Sequence, residues 1–205
     1  MKTFHDFLVE AEKKGEVVNL AFEQNLFRLV SILDRIVGVV TDAGVAYELV
    51  GGLAVLIHLE AVDPANSIMT RDVDVMINRQ DLERLKQAAA GAGFQYRHSA
   101  GLDMLLYGDE KKALNAVHLV FSGEKVRPPQ AAPNPSIAPE QRTIHGRTVM
   151  VIRVDDLLRM KLSAFRDKDR VHVRSLDACG LITPEMEAGL PPELIERLKH
   201  VRETE

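Results

Sequence analysis

The stretch TRDVDVMINR, residues 70–79, places two carboxylates, Asp72 and Asp74, two positions apart inside an apolar run. Strand alternation would put Asp72, Asp74 and Met76 on one face and Val73, Val75 and Ile77 on the other. The two aspartates would then lie roughly 7 Å apart along one strand face. Carboxylates that close repel unless they are protonated, hydrated or bridged by a cation. A hard divalent cation such as Mg²⁺ suits them, because it takes oxygen ligands and keeps positions for phosphate oxygens. Hydration at an exposed strand end would serve equally well.

Twenty residues upstream, ELVGGLAVLIH (48–58) reads as a strand running into Gly51-Gly52 and then a helix. Glycine permits a sharp turn and close approach of a ligand. The helix start offers unpaired N–H groups and a dipole that favours phosphate. A tight turn with no ligand has the same spelling.

Outward from this pair the chain alternates. Residues 3–14 and about 19–43 read as two helices, the second with a stripe of Leu26, Leu29, Ile32, Leu33, Ile36, Val37 and Val40. Gly44 suits the left-handed position that ends it. VAYELV (45–50) and DVDVMIN (72–78) read as strands, and RQDLERLKQAAAGAG (79–93) as a helix. DMLLYG (103–108) and AVHLVFSG (116–123) read as adjacent strands. Residues 122–142, with Pro128, Pro129, Pro133, Pro135 and Pro139, read as a loop or surface excursion. A hairpin turning at His145-Gly146 follows. One helical run covers 155–182, and a second covers PPELIERLKHVRETE (191–205). The expectation is an α/β (α+β) fold: N-terminal helices over 1–44, a mixed-sheet core over 45–153 and C-terminal helices over 154–205.

Bulk properties narrow the function classes. The 205 residues are 46% hydrophobic and 27% charged, with a net charge of −4. That balance fits a chain with a real core and argues against a binder of nucleic acid over its whole surface. The single cysteine, Cys179, forms no internal disulfide and reads as a small buried hydrophobe. His58, His98, His145, His172 and His200 show no zinc spacing. The start lacks an apolar signal core, and no stretch approaches the roughly twenty apolar residues of a membrane helix. The expected location is the cytoplasm.

An apolar residue, Gly51-Gly52, a helix and then Asp72-Val73-Asp74-Val75 on the next strand together resemble the signature of the nucleotidyltransferase superfamily with the DNA polymerase β-like fold. MTRDVDV (69–75) has the family's style of approach, with Arg71 adjoining the first aspartate. The longer interval from Gly52 to Asp72 is similar to bacterial stand-alone members related to abortive-infection and toxin–antitoxin nucleotidyltransferases. DDLLRMKLSAFRDKDRVHVRSL (155–176) resembles their helix with a lysine and a later Arg-x-Lys-Asp run. The likeness spans roughly Val45 to Leu181.

The resemblance implies transfer of a nucleoside monophosphate from an NTP to an acceptor, dependent on Mg²⁺ or Mn²⁺. Gly51, Gly52 and Arg71 would hold the triphosphate, and Asp72 and Asp74 the metal. Lys161, Arg166 and Lys168 would contact phosphate, unless they simply form a solvated helix face. The acceptor would be a protein, a tRNA end or a small molecule, and an antitoxin-like protein is an implied partner. The family's third carboxylate is missing from the expected strand, NAVHLVF (115–121), where His118 stands instead. Imidazole is a poor Mg²⁺ ligand but suits Mn²⁺ better. It can also act as a general base, or mark the edge of a decayed site. Asp103 or Glu124 would have to supply the carboxylate through space. The alternative function is a nucleotide- or partner-binding module that keeps the fold without turnover.

Overall fold

The computed structural model describes residues 4–64, 70, 72–108, 116–144 and 146–204. Its first element is a single helix, α1 (Phe4–Asp42), of 39 residues. The two helices expected over 3–14 and 19–43 are therefore one. The interval contains Gly15 but no proline, and a glycine inside a helix costs only about 1 kcal/mol relative to alanine. From Gln24 onward its packing is described. Leu29, Ile32, Leu33, Ile36, Val37 and Val40 are buried as the spacing predicts, whereas Leu26 is 42% exposed. Gly44 takes φ +60° and ends the turn.

Among the described residues seven strands form one mixed sheet in the order β3-β4-β5-β2-β1-β7-β6. They are β1 (Tyr47–Val50), β2 (Val73–Ile77), β3 (Phe94–Ser99), β4 (Leu102–Tyr107), β5 (Ala116–Phe121), β6 (Glu140–Ile144) and β7 (Arg147–Val151). β2 lies at the centre, antiparallel to β1 and parallel to β5. β4 pairs with β5 and β6 with β7 as the sequence suggests. His145, expected at the turn between β6 and β7, lies outside the described residues. β3 (FQYRHS) escapes a reading by pattern because it is a polar edge strand with only Phe94 buried. α2 (Gly51–Glu60) follows β1 with no intervening residue, and α3 (Leu82–Gly91) precedes β3.

After β7 come four helices where two runs were expected: α4 (Val154–Ala164), α5 (Asp167–Ala178), α6 (Pro184–Ala188) and α7 (Pro192–Glu203). The 155–182 run divides at Phe165, which adopts φ 51° and closes α4 with its N–H on the Lys161 carbonyl at 2.9 Å. Neither glycine nor proline marks this break, so helical periodicity reads straight through it. Among the described residues no helix is long and apolar enough to cross a membrane.

Candidate active site

β2 is buried at Val73, Val75, Met76 and Ile77, and Asp74 is its only half-exposed position. Asp72 lies immediately before the strand rather than within it. The register pairs Asp74 with Val50 on one side and with His118 on the other. Val50 is the last residue of β1, so the start of α2 lies beside Asp74.

Gly51 makes this proximity feasible. It sits at φ +71°, and a Cβ built there would fall 1.9 Å from Asp74 Oδ2. The Asp74 carboxylate therefore occupies space that any other residue would fill. Gly52 is tight for a different reason: its Cβ would meet Thr70 Oγ1 at 2.7 Å. Thr70 is fixed by Asn25, whose Nδ2 donates to its carbonyl at 2.8 Å. Among the described residues no side chain caps α2, and its first turn carries no acid. Its leading N–H groups and positive dipole end are thus available to an anion.

His118 Nδ1 lies 3.2 Å from Asp74 Oδ1. The hydrogen bond to Asp74 raises the imidazole above its ordinary pKa, helped by the charges of Asp74 and Asp72. Burial and Lys168 oppose the shift.

The two alternative sources of a third carboxylate are elsewhere. On β4, Met104 is the register partner of His118, so the adjacent Asp103 faces the other side of the sheet. Asp103 accepts from Tyr96 Oη, lies 3.0 Å from His98 Nδ1 and 3.4 Å from an Arg79 nitrogen. Glu124 takes both ends of the Arg79 guanidinium, at 2.9 and 2.5 Å. Neither replaces the missing group.

Asp72, Asp74 and His118 share a cavity of about 460 Å³ with Gly51, Gly52, Lys161, Arg166 and Lys168. Arg71 lies outside the described residues. Lys161 is buried and bonded to Asp169 Oδ1 at 2.9 Å, while Asp169 Oδ2 accepts from Arg166 Nε at 2.7 Å. Burial would push the Asp169 carboxyl up, but Lys161 and Arg166 outweigh it and hold Asp169 ionised below the usual range. Lys161 is therefore a paired core residue at the cavity floor, not part of a solvated face.

Asp169 closes the Arg-x-Lys-Asp run quoted from the sequence, but its pairing with Lys161 follows from the helix break at Phe165, which no residue type announces. Val126, Arg127, Pro129, Gln130 and Asn134 form a wall of the cavity. Their segment is the proline-rich excursion, which the sequence shows only as a loop or surface excursion.

A Mg²⁺ or Mn²⁺ ion can be tested against these donors. Among the described residues no group of three or more His, Cys, Asp and Glu side chains is gathered for a metal. Asp72 and Asp74 supply hard oxygen donors, and the absent Gly51 Cβ leaves Asp74 its room. The pair fits an ion that completes its shell with phosphate oxygens and water.

Neither protein-family models nor the sequences of curated proteins give a match. Solved structures do. An antigenic nucleotidyltransferase-like protein from Paracoccidioides brasiliensis superposes with TM-score 0.53 at 15% identity, over 86% of this chain and 87% of that one. This chain has the nucleotidyltransferase fold. The Megavirus polyadenylate synthase, with the same score at 12% identity, matches 89% of this chain over 39% of its own length. The lincosamide adenylyltransferase LnuA in its lincomycin-bound form reaches 0.48 at 15% identity, over 74% of this chain and 96% of that one. Within the nucleotidyltransferase fold, the glycine turn and the two aspartates fall at the junction of β1, α2 and β2.

Proposed function

We propose that this chain is a metal-dependent nucleotidyltransferase that moves a nucleoside monophosphate from an NTP to the hydroxyl of an acceptor: a protein, a tRNA end or a small molecule. The observation that carries the reading is the left-handed Gly51 packed against Asp74 at an uncapped helix start. Room for a carboxylate and helix-start N–H groups at one point suit a metal-bound triphosphate.

Asp72 and Asp74 would hold Mg²⁺ or Mn²⁺. When bound, such an ion neutralises phosphate charge and orients attacking and leaving oxygens for in-line displacement. The N–H groups at the start of α2 orient the phosphates, and Lys168 adds positive charge beside them. The acceptor oxygen bonds to the α-phosphorus, the bond to the bridging oxygen breaks, and pyrophosphate leaves. His118, held by Asp74 through Nδ1, presents Nε2 to take the acceptor proton.

The second reading is a binding module without turnover, and the placement of Asp103 and Glu124 away from the cavity favours it. Calorimetric titration of the four NTPs with Mg²⁺ and with Mn²⁺ tests the nucleotide site. Wild type should bind with metal, and the Asp72→Ala/Asp74→Ala variant should not. No binding with either metal would overturn both nucleotide readings. Release of pyrophosphate from a bound NTP would separate enzyme from module.

A further inference from the structure

The proline-rich excursion is not a loose connection. Asn134 Nδ2 donates to the Phe121 carbonyl at 3.0 Å, and Asn134 Oδ1 accepts from Gln130 Nε2 at 3.2 Å. Gln130 Oε1 in turn accepts from the Val126 N–H at 3.0 Å. The backbone adds Gly123 N–H to Asn134 O at 3.1 Å and Ala131 N–H to Ser163 O at 3.1 Å. Gln130 and Asn134 are buried. The segment is thereby latched to the end of β5 and to α4.

Arg127 opens a turn whose two central residues are Pro128 and Pro129, closed by Gln130 N–H on the Arg127 carbonyl at 3.1 Å. Two consecutive prolines leave such a turn little conformational freedom to lose. Arg127 itself is exposed and lines the cavity of Asp72 and Asp74. Lys161 and Arg166, two other cations there, are committed to Asp169. No carboxylate among the described residues pairs with Arg127. An uncompensated guanidinium on a rigid mount is suited to a ligand with two adjacent anionic oxygens, which it can grip as a fork.

We propose that Arg127 is a pyrophosphate-binding residue, which grips the β- and γ-phosphates of the NTP and then the departing pyrophosphate. The inference rests on the nucleotide-transfer reading. The reacting phosphate belongs at the aspartates and the Gly51 turn, on the cavity floor. Arg127 lines the same cavity from the latched segment and is exposed, which leaves its guanidinium to the phosphates beyond the reacting one. The latch keeps it there before any ligand arrives, so binding spends little on ordering the arm.

The test is calorimetric binding of inorganic pyrophosphate, the four NTPs and the four NMPs, with Mg²⁺, to wild type, Arg127→Gln and Arg127→Lys. Arg127→Gln should weaken pyrophosphate and NTP by roughly tenfold, the scale of a lost charged hydrogen bond. NMP affinity should be unchanged, and Arg127→Lys should recover part of the loss, as a point charge without the fork. Because Arg127 is exposed, both variants should fold as wild type does. Unchanged pyrophosphate affinity in Arg127→Gln would overturn the assignment, as would an equal loss for NMP. NTP binding indifferent to Arg127 would remove this inference and keep the transfer reading. Arg127-dependent pyrophosphate binding without NTP binding would remove the transfer reading and leave Arg127 only an inorganic pyrophosphate site. Wild type that binds neither ligand would remove both.

Discussion

Lys161 Nζ lies 2.9 Å from Asp169 Oδ1, with the lysine 5% and the aspartate 0% exposed, although eight residues separate them. In an unbroken helix that spacing would hold the two side chains about 12 Å apart along the axis. The left-handed Phe165 turns the chain so that α5 returns onto α4. The break and the ion pair depend on each other.

Removing the two partners should therefore have unequal costs. Asp169→Ala strands a buried ammonium and also unmakes the bonds to Arg166, so it should destabilise by about 3–5 kcal/mol. Lys161→Met leaves Asp169 with Arg166 and should cost only about 2 kcal/mol. Urea denaturation of both variants checks the order. Equal costs would mean that Arg166 contributes nothing.

Gly51→Ala isolates the carboxylate cradle. The backbone at φ +71° alone costs a non-glycine residue about 1–2 kcal/mol. The added methyl would also overlap Asp74 Oδ2 and drive that side chain from its place. Gly180→Ala provides the control, since it carries the same backbone strain at φ +70° with no atom within 4 Å. Gly180→Ala should lose only the backbone cost by thermal denaturation, and Gly51→Ala at least as much. Only Gly51→Ala should also lose metal-dependent NTP binding.

The sequence made the centre of the site legible because the chemistry is local there. Gly51-Gly52 and Asp72-Asp74 sit at the end of one strand and the start of its neighbour, whereas His118 came into view only through the family resemblance, and the β2–β5 register sets it beside Asp74. The rest is set by tertiary relations with no local spelling. β3 has no apolar alternation because it is an edge with one buried side, and Phe165 bends the chain without a glycine. The latch joins Phe121, Gln130 and Asn134 through amide pairs that periodicity does not register. Asp103 and Glu124 failed as substitutes for the same kind of reason: a one-residue offset on β4 and a competing arginine at position 79.

Glu48 gives a pH signature. It lies on the same sheet face as Val50, the partner of Asp74, and is 1% exposed. Oε2 accepts from the Ala138 N–H at 3.2 Å, while Oε1 is buried without a partner. Burial pushes its carboxyl up to about 7, against the Ala138 hydrogen bond and with Asp156 adding to the rise. The folded state thus keeps a proton that the unfolded chain releases near pH 4.5. Stability falls as pH rises through this window, and the penalty is complete above about pH 7. Glu48→Gln removes the titration but leaves an amide N–H₂ unpaired, at about 1 kcal/mol. The variant should be more stable than wild type at about pH 8 by about 2 kcal/mol, and no more stable at about pH 4. Urea denaturation across this range checks the crossover; a constant difference between the two proteins would exclude Glu48 as its source.

His118 separates two ways of completing the site, and two substitutions distinguish them by sign. His118→Asn keeps a hydrogen-bond donor toward Asp74 and removes the basic nitrogen. If His118 takes the acceptor proton, kcat should fall by roughly a hundredfold or more while KM for the NTP barely moves, since the phosphate contacts are untouched. His118→Asp instead adds a third carboxylate at the register partner of Asp74. A hard cation gains from each added oxygen charge, so calorimetric Mg²⁺ binding without nucleotide should tighten by roughly tenfold. In the metal-free protein the same change crowds three negative charges, so His118→Asp should be less stable than wild type until Mg²⁺ is added. Stabilisation by Mg²⁺ that is larger in His118→Asp than in wild type or His118→Asn identifies position 118 as the missing corner of the metal site. Equal stabilisation in all three would mean that residue 118 does not face the ion, and that the proton must leave by another route.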